Sequence, residues 1–286
     1  MHIAFFGAGL LGAAMIERFV RAGTSVTVWN RSPDRLSPLV ALGARTAPSP
    51  ADALHAATRL HVVLRDDASV DEVLATCGAA LRDVIVIDHT TVTPHGARAR
   101  AERFAREGVR FLHAPVFMGP SAARAGGGSM FVSGPERVYA DVADALATMT
   151  GKVVYLGAEP HLAATLKLVG NTMIIGINAA LADAFAVAVG AGVSPTQAMG
   201  LFDTFDPCGT IAGRGRAMAA GDYSPSFELT MARKDVQLML DTATLGGQVP
   251  HVLPAIAARM DALIKDGRGA RDFAILAVDT IPERND

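Results

Sequence analysis

The sequence predicts an α/β fold: an N-terminal domain built on a doubly wound, mostly parallel sheet, then a long linking helix and an all-α C-terminal domain. Short apolar runs alternate with amphipathic segments of helical length as far as residue 158. A glycine-rich turn follows the first apolar run. Beyond that residue the strand-like runs stop, and Ala, Leu and Met recur at helical spacing. We therefore expect domains at 1–158 and 159–286, with the linking helix at about 161–191.

The elements of the first domain follow from this alternation. The first helix is amphipathic and closes on Gly23, a residue typical of helix C-termini. The expected strands cover 3–9, 25–32, 59–67, 83–91, 109–116, 130–135 and 152–157. The expected helices cover 10–23, 69–81 and 94–107, with a further helix start near 47–56.

Composition excludes several classes of protein. The 286-residue chain has a net charge of -2 and no basic block, so we expect no nucleic-acid partner. Two cysteines, Cys77 and Cys208, form neither a disulfide framework nor a metal-ligand pattern, which predicts reduced thiols and no metal site. The opening MHIAFFGAG lacks the charged start of a signal peptide. We expect a cytoplasmic protein.

The apolar stretch that begins at Leu168 raises the question of a membrane span. A span needs about 20 predominantly apolar residues. Here Asn171 and Asn178 interrupt the run and Asp183 ends it. We therefore expect no membrane partner, and a helix buried between domains or subunits.

The glycine turn Gly7-Ala8-Gly9-Leu10-Leu11-Gly12 has the pattern G-x-G-x-x-G between the first strand and the first helix. In a Rossmann domain the first glycine permits the turn, the second admits a pyrophosphate, and the third lets the helix pack on the strand. The helix N-terminus then offers free N–H groups to the phosphates. This context predicts a dinucleotide site. The alternative is a purely structural glycine turn.

The end of the second strand bears on the choice of dinucleotide. An NAD site typically has a carboxylate there for the ribose 2′-hydroxyl. The sequence is instead Trp29-Asn30-Arg31-Ser32-Pro33, with no carboxylate until Asp34. Arg31 can pair with a 2′-phosphate, and Asn30 and Ser32 can add hydrogen bonds. These residues favour NADP(H) over NAD(H). The alternative is an arginine that stacks on adenine in an NAD enzyme.

Lys167 and Asn171 stand in an apolar run at a spacing of four, which places them on one face of a helix. Hydride transfer to a carbonyl leaves negative charge on oxygen, so a proton donor is needed within hydrogen-bond reach. Partial burial of an ammonium lowers its pKa toward neutral pH, where it can both donate and accept a proton. Lys167 is thus the candidate acid/base, with Asn171 to orient it or hold the substrate oxygen. The alternative is a lysine that snorkels on a surface helix.

Histidines offer a competing acid/base hypothesis. His89 and His113 follow strand ends near the expected cofactor edge, and Asp88 precedes His89. A histidine–aspartate pair is therefore a second candidate. A nearby group of carboxylates is expected at a helix N-terminus rather than around a metal, because acidic side chains favour the first turn; it comprises Asp66, Asp67, Asp71 and Glu72.

Five motifs together resemble the β-hydroxyacid dehydrogenase family, which includes 3-hydroxyisobutyrate dehydrogenases, tartronate semialdehyde reductases and glyoxylate/succinic semialdehyde reductases. The resemblance covers essentially the whole chain. The motifs are GAGLLG (7–12), IDHTTVTP (87–94), HAPV (113–116), LKLVGN (166–171) and FELTMARKDVQL (227–238).

The resemblance implies a role for individual residues. Lys167 would be the catalytic acid/base and Asn171 its substrate-anchoring partner. Thr91 and the Leu64-Arg65 turn would contact the cofactor, and Lys234 would reach the nicotinamide end from the helical domain. The family pattern also implies a Rossmann domain, a long linking helix and an all-α domain that forms dimers or tetramers.

The substrate loop departs from the family pattern D-x-P-V-S-G-G. Here it reads HAPVFMGPS, so His113 stands at the aspartate position, Phe117 at the serine and Met118 at the first glycine. A phenyl ring donates no hydrogen bond, and Ser121 or Arg124 would have to take over anion binding. The residues expected to line the substrate site are Phe117, Met118, Gly119 and Ser121. Gly170 also replaces the first asparagine of the family's N-N pair.

The sequence therefore predicts an NADP(H)-dependent oxidoreductase. It would interconvert a small β-hydroxy acid and its oxo acid or semialdehyde, with Lys167 as acid/base. One alternative is an imine reductase, to which an apolar pocket is suited, although that group generally lacks the lysine. Another is a dinucleotide-binding protein without turnover.

Overall fold

A computed structural model describes residues 2–281 of the chain. The chain divides into two compact units, Met1–Thr172 and Met173–Asp286. The division falls inside the long helix, so this helix belongs to both units. The domain boundary expected after residue 158 stays a prediction.

The first unit alternates strands and helices, as the sequence predicts. Its strands are β1 (His2–Phe6), β2 (Ser25–Trp29), β3 (Arg45–Thr46), β4 (Arg59–Val62), β5 (Ile85–Asp88), β6 (Arg110–His113), β7 (Val116–Phe117), β8 (Ser129–Val132) and β9 (Lys152–Tyr155). Its helices are α1 (Leu10–Arg21), α2 (Ser37–Ala41), α3 (Pro50–Ala53), α4 (Asp67–Ala75), α5 (Pro94–Glu107), α6 (Pro120–Ala125), α7 (Glu136–Ala140) and α8 (Ala143–Ala147). Short 3₁₀ segments cover Pro33–Leu36 and Gly78–Asp83.

The main sheet has six parallel strands in the order β3-β2-β1-β4-β5-β6. Neighbouring residues of β1 pack into different cores, Phe5 on one face and Phe6 on the other. Burial on both faces explains why the strands read as continuous apolar runs. The strand order reverses between β1 and β4, and ligands of such sheets bind outside the strand ends at that point.

The run 109–116, expected as one strand, divides between two sheets. Its first part is β6, and its last part is β7, which pairs antiparallel with β8 in a separate sheet of order β7-β8-β9. Pro115 lies between the two parts, and proline lacks the N–H that would continue a ladder. The division sets Phe117 opposite Ser129 at the start of the substrate loop.

Among the described residues, the second unit is helical, as expected. The long helix expected at about 161–191 is present as α9 (His161–Gly190). It is followed by α10 (Pro195–Met199), α11 (Cys208–Ala220), α12 (Leu229–Leu245) and α13 (Leu253–Leu263). A 3₁₀ turn at Gly200–Asp203, a π-helical turn at Ile264–Arg268 and a 3₁₀ turn at Phe273–Ala277 complete the unit.

Much of α9 is exposed in the single chain. Val169 is 56% exposed, Ile174 51% and Ile175 69%. By length and composition alone, α9 is also apolar enough to cross a membrane. Burial of α9 between domains or subunits stays a prediction.

The C-terminal half of α9 is anchored inside the second unit. Asp183 is 3% exposed and accepts hydrogen bonds from the backbone N–H groups of His251, Val252 and Leu253, at 2.7, 2.8 and 2.8 Å. Farther along, a Cβ on Gly246 would lie 2.2 Å from the Cα of Gly190. The end of α9 and the end of α12 therefore approach closely because both positions are glycine.

Candidate active site

The glycine turn after β1 has the geometry that a phosphate cradle needs. Gly7 adopts φ +100°, and a Cβ there would lie 2.0 Å from the carbonyl oxygen of Val63. A Cβ on Gly12 would lie 2.1 Å from the carbonyl oxygen of Gly7. Gly9 instead faces open space, directly before α1. The turn therefore leaves the N-terminus of α1 accessible to a ligand.

Asn30 fixes the turn to the end of β2. Its Oδ1 accepts the backbone N–H of Ala8 at 2.9 Å, and its Nδ2 donates to the carbonyl oxygen of Ser32 at 2.8 Å. Asn30 therefore holds the turn and the following loop in one arrangement.

A cleft of about 750 Å³ opens above the glycine turn. The cofactor-binding residues expected from the sequence line it, apart from Ala8 and Lys234: they are Gly7, Gly9, Leu10, Leu11, Gly12, Asn30, Arg31, Ser32, Leu64, Arg65 and Thr91. Ala8 takes part through its backbone N–H. Lys234 lies on α12 in the second unit, where its Nζ is 2.8 Å from Asp235.

Sequence reasoning missed Arg35 and Thr90, which also line the cleft. Arg35 is exposed on the 3₁₀ segment after β2, four residues beyond Arg31. The spacing of Arg31 and Arg35 by four residues could have indicated that both arginines lie near the same phosphate. The hydroxyl of Thr90 accepts the N–H of Leu64 at 3.0 Å and so joins the ends of β4 and β5. That contact crosses 26 residues and has no local signature.

His89 belongs to a buried chain of hydrogen bonds under the cleft. The Nε of Arg59 donates to Nε2 of His61 at 3.1 Å, and Nδ1 of His61 lies 3.0 Å from Nε2 of His89. Nδ1 of His89 lies 2.6 Å from the carbonyl oxygen of Ala114. Because arginine only donates, we assign each histidine as a donor at Nδ1. Burial lowers the pKa of His89 to about 4, so its neutral ring is fully engaged at neutral pH.

The structure contains a histidine–aspartate pair, but the pair is buried away from solvent. His113 and Asp88 are both fully buried, with Nδ1 of His113 3.8 Å from Oδ2 of Asp88. Among the described residues, neither ring nitrogen of His113 has a hydrogen-bond partner. Asp88 also lies 3.4 Å from Arg100. A substrate in solution does not reach this pair.

The acidic group after β4 is confirmed as the N-terminus of a helix. Asp66 caps α4 by accepting the N–H of Ser69 at 2.9 Å, and Asp67 lies in the first turn. Asp67 and Asp71 both bind the buried guanidinium of Arg100, at 3.1 and 3.0 Å. These carboxylates join α4 to α5.

Lys167 is half-buried on α9 beside the substrate loop. Its Nζ donates to the carbonyl oxygen of Val116 at 2.8 Å and lies 4.0 Å from the centre of the Phe117 ring. Burial lowers the pKa of Lys167 below its usual value. Asn171, also half-buried, follows one turn later. The lysine predicted from sequence is therefore a partly dry ammonium held in a defined position.

The expected substrate residues form the segment next to Lys167. Phe117 ends β7, Met118 follows it, and Gly119 precedes α6. Ser121 is exposed on α6. Arg124, a candidate for anion binding, instead donates from Nε to Glu17 at 2.6 Å. An anionic substrate would therefore have to compete with an existing ion pair.

Comparison with protein families matches the two parts of the chain separately. Residues 2–157 match the NAD binding domain of 6-phosphogluconate dehydrogenase. Residues 162–278 match the NAD-binding domain of NADP-dependent 3-hydroxyisobutyrate dehydrogenase.

Individual relatives match over nearly the full length. An L-threonate dehydrogenase from Cupriavidus necator is 30% identical over 95% of this chain and 93% of its own. A glyoxylate/succinic semialdehyde reductase from Arabidopsis thaliana is 26% identical over 96% of each chain. A reductive aminase from Aspergillus terreus, in complex with NADPH and ethyl levulinate, is 27% identical, with a TM-score of 0.89 over 98% of each chain.

Proposed function

Because this chain belongs to the β-hydroxyacid dehydrogenase family, we propose that it is an NADP(H)-dependent oxidoreductase that interconverts a small β-hydroxy acid and its oxo acid or semialdehyde. The observation that carries the proposal is Lys167. Its half-buried ammonium sits next to the substrate loop, and burial lowers its pKa. Relatives named as dehydrogenases and reductases of hydroxy acids and semialdehydes support the same chemistry.

Proton transfer is the step that this chain's own residues perform. When bound, the nicotinamide ring supplies or accepts the hydride. In reduction, Lys167 donates a proton to the oxygen that gains negative charge, and in oxidation it takes the proton from the hydroxyl group. The bond from Nζ to the Val116 carbonyl fixes the ammonium. We assign to Asn171, one turn later on α9, the binding of the same substrate oxygen.

The cleft above the glycine turn suits a dinucleotide. Gly9 leaves the backbone open to a pyrophosphate, and the N-terminus of α1 supplies N–H groups and a favourable dipole. The end of β2 bears no carboxylate that would repel a 2′-phosphate, and Arg31 and Arg35 both line the cleft there. These charges support a preference for NADP(H). The related reductive aminase was solved with NADPH, which agrees with this preference.

The function is tested by following NADPH oxidation across semialdehydes, 2-oxo acids and imines. We expect turnover with short oxo acids or semialdehydes, and a loss of about 100-fold or more in Lys167→Ala, the scale of general acid catalysis. Lys265→Ala, at an exposed lysine of the π-helical turn, is the matched control and should keep wild-type rates. Normal turnover by a folded Lys167→Ala variant would contradict the proposal.

Imine reduction is a second candidate, favoured by the reductive aminase of the same fold and by the apolar ring of Phe117 beside the lysine. The same screen separates the two functions. Faster turnover of cyclic imines than of any oxo acid or semialdehyde would select the second. Tight NADPH binding without turnover of any class would indicate a non-catalytic binding protein.

We also propose that the chain forms a homo-oligomer through the exposed apolar residues of α9. Val169, Ile174 and Ile175 are each at least half-exposed, and large exposed apolar surfaces mark interaction sites. We expect a second copy of the chain to cover these residues, because most soluble oligomers are symmetric assemblies of identical chains. The cytoplasmic location stays a prediction.

A further inference from the structure

Phe117 and Gly170 occupy one another's space. A Cβ built on Gly170 would lie 2.4 Å from Cζ and 2.6 Å from Cε1 of the Phe117 ring. Real Cβ atoms essentially never approach another atom so closely. The ring therefore fills the place where any side chain at position 170 would begin. The two departures from the family pattern noted in the sequence are thus one structural feature.

The ring of Phe117 is held in this place by the small sheet. Phe117 is paired with Ser129 in the β7–β8 ladder. Its ring meets Phe131 edge to face, with centroids 5.6 Å apart and planes at 89°. Edge-to-face pairs are a favoured aromatic arrangement. A rotation that would free the space above Gly170 would give up this contact.

The same ring limits what Lys167 can bind. An ammonium has three N–H donors. One is used on the Val116 carbonyl, and the Phe117 ring, 4.0 Å from Nζ, covers another side. The ammonium attracts the electron-rich ring face, whereas a carboxylate is repelled by it. Lys167 is thereby left to serve a single oxygen, that of the reacting carbonyl.

We propose that Phe117 and Gly170 act as one substrate-selecting pair. The pair presents an apolar wall to the group attached to the reacting carbon, and so favours an uncharged alkyl group there over a carboxylate. An acid group of the substrate then lies farther along its chain. A carboxylate against the ring would lose its hydration without gaining a donor, which is costly. This inference rests on the proposed function of Lys167 and names the substrate class of the same site.

The test compares glyoxylate with 2-methylpropanal, two aldehydes of the same heavy-atom count that differ in carrying a carboxylate or an isopropyl group on the reacting carbon. We expect kcat/KM of the wild type with NADPH to be higher for 2-methylpropanal. In Phe117→Ser/Gly170→Asn, which restores polar groups at both positions, the ratio should move toward glyoxylate by about tenfold or more, the scale of one charge-assisted hydrogen bond. Lys265→Ala, at an exposed lysine of the π-helical turn, is the control and should keep the wild-type preference.

Comparison of the single variants with the double variant measures the energetic coupling between positions 117 and 170. Gly170→Asn alone should lose stability or activity on both aldehydes, and adding Phe117→Ser should restore it, because the clash is with the ring. If Gly170→Asn does not fold, Phe117→Ser alone still measures the change in preference. A wild type that prefers glyoxylate, or a double variant with an unchanged ratio, would overturn the inference while leaving Lys167 catalysis intact. Lack of turnover of any carbonyl by the wild type would instead refute the proposed function.

Discussion

Lys167 acquires its properties from residues that lie far from it in the sequence. The spacing of Lys167 and Asn171 was sufficient to predict that they share one face of α9. The contacts with Val116 and with the Phe117 ring were not predictable, because they depend on the break at Pro115 that sends the chain into a second sheet. Sequence showed that Phe117 and Gly170 depart from the family pattern. Only the structure shows that they depart together.

Arg31 carries the prediction on cofactor choice. Arg31→Asp places a carboxylate where a 2′-phosphate would lie, and like charges repel. We expect the ratio of kcat/KM for NADPH to that for NADH to fall by about tenfold or more, since paired charges contribute this much when one partner is reversed. Arg137→Asp, an equal charge change on the exposed face of α7, is the control. An unchanged ratio in Arg31→Asp would refute the role of Arg31.

At the scale of elements, the order of strands and helices was predictable because each buried strand is a short apolar run ended by a turn. Register was not. The run 109–116 has one hydropathic character but contributes to two sheets, and the short α6, α7 and α8 have too few turns for a periodic signal. The apolar stretch of α9 was visible in the sequence, whereas the anchoring of its second half by Asp183 joins residues almost 70 positions apart.

Asp183 gives a test of how α9 is anchored in the second unit. Asp183→Ala leaves three backbone N–H groups without their charged acceptor, so we expect a loss of about 3 kcal/mol in the free energy of unfolding. Urea denaturation followed by circular dichroism measures it. Asp241→Ala, which removes an exposed carboxylate from α12, should cost less than about 0.5 kcal/mol. Equal losses in the two variants would show that Asp183 does not anchor the helix.

At the scale of the whole molecule, the single chain leaves many apolar residues of α9 exposed. The sequence predicted a helix too apolar for solvent that is buried between domains or subunits, and the exposed residues leave that burial a prediction. The fold class and the residues that line the cleft follow from local patterns, as does the candidate role of Lys167. The partner surface that covers α9 could not be predicted, because it depends on how two folded chains meet.

Ile175 tests the proposed assembly, since it is 69% exposed in the isolated chain. Ile175→Glu would bury a charge in any interface that covers Ile175, so we expect the variant to elute as a monomer. Size-exclusion chromatography with light scattering measures the mass. Leu42→Glu, on a partly exposed site after α2, should keep the wild-type mass. A wild type that is itself monomeric would contradict the assembly.

The proton transfer by Lys167 is tested most directly by the pH dependence of kcat/KM in both directions. Reduction requires the ammonium, so its rate should fall as pH rises through the pKa of Lys167, which burial lowers from the usual 10.5. Oxidation requires the neutral amine and should rise through the same value. Both limbs should vanish from the residual activity of Lys167→Ala. Limbs that persist unchanged in that variant would show that another group moves the proton.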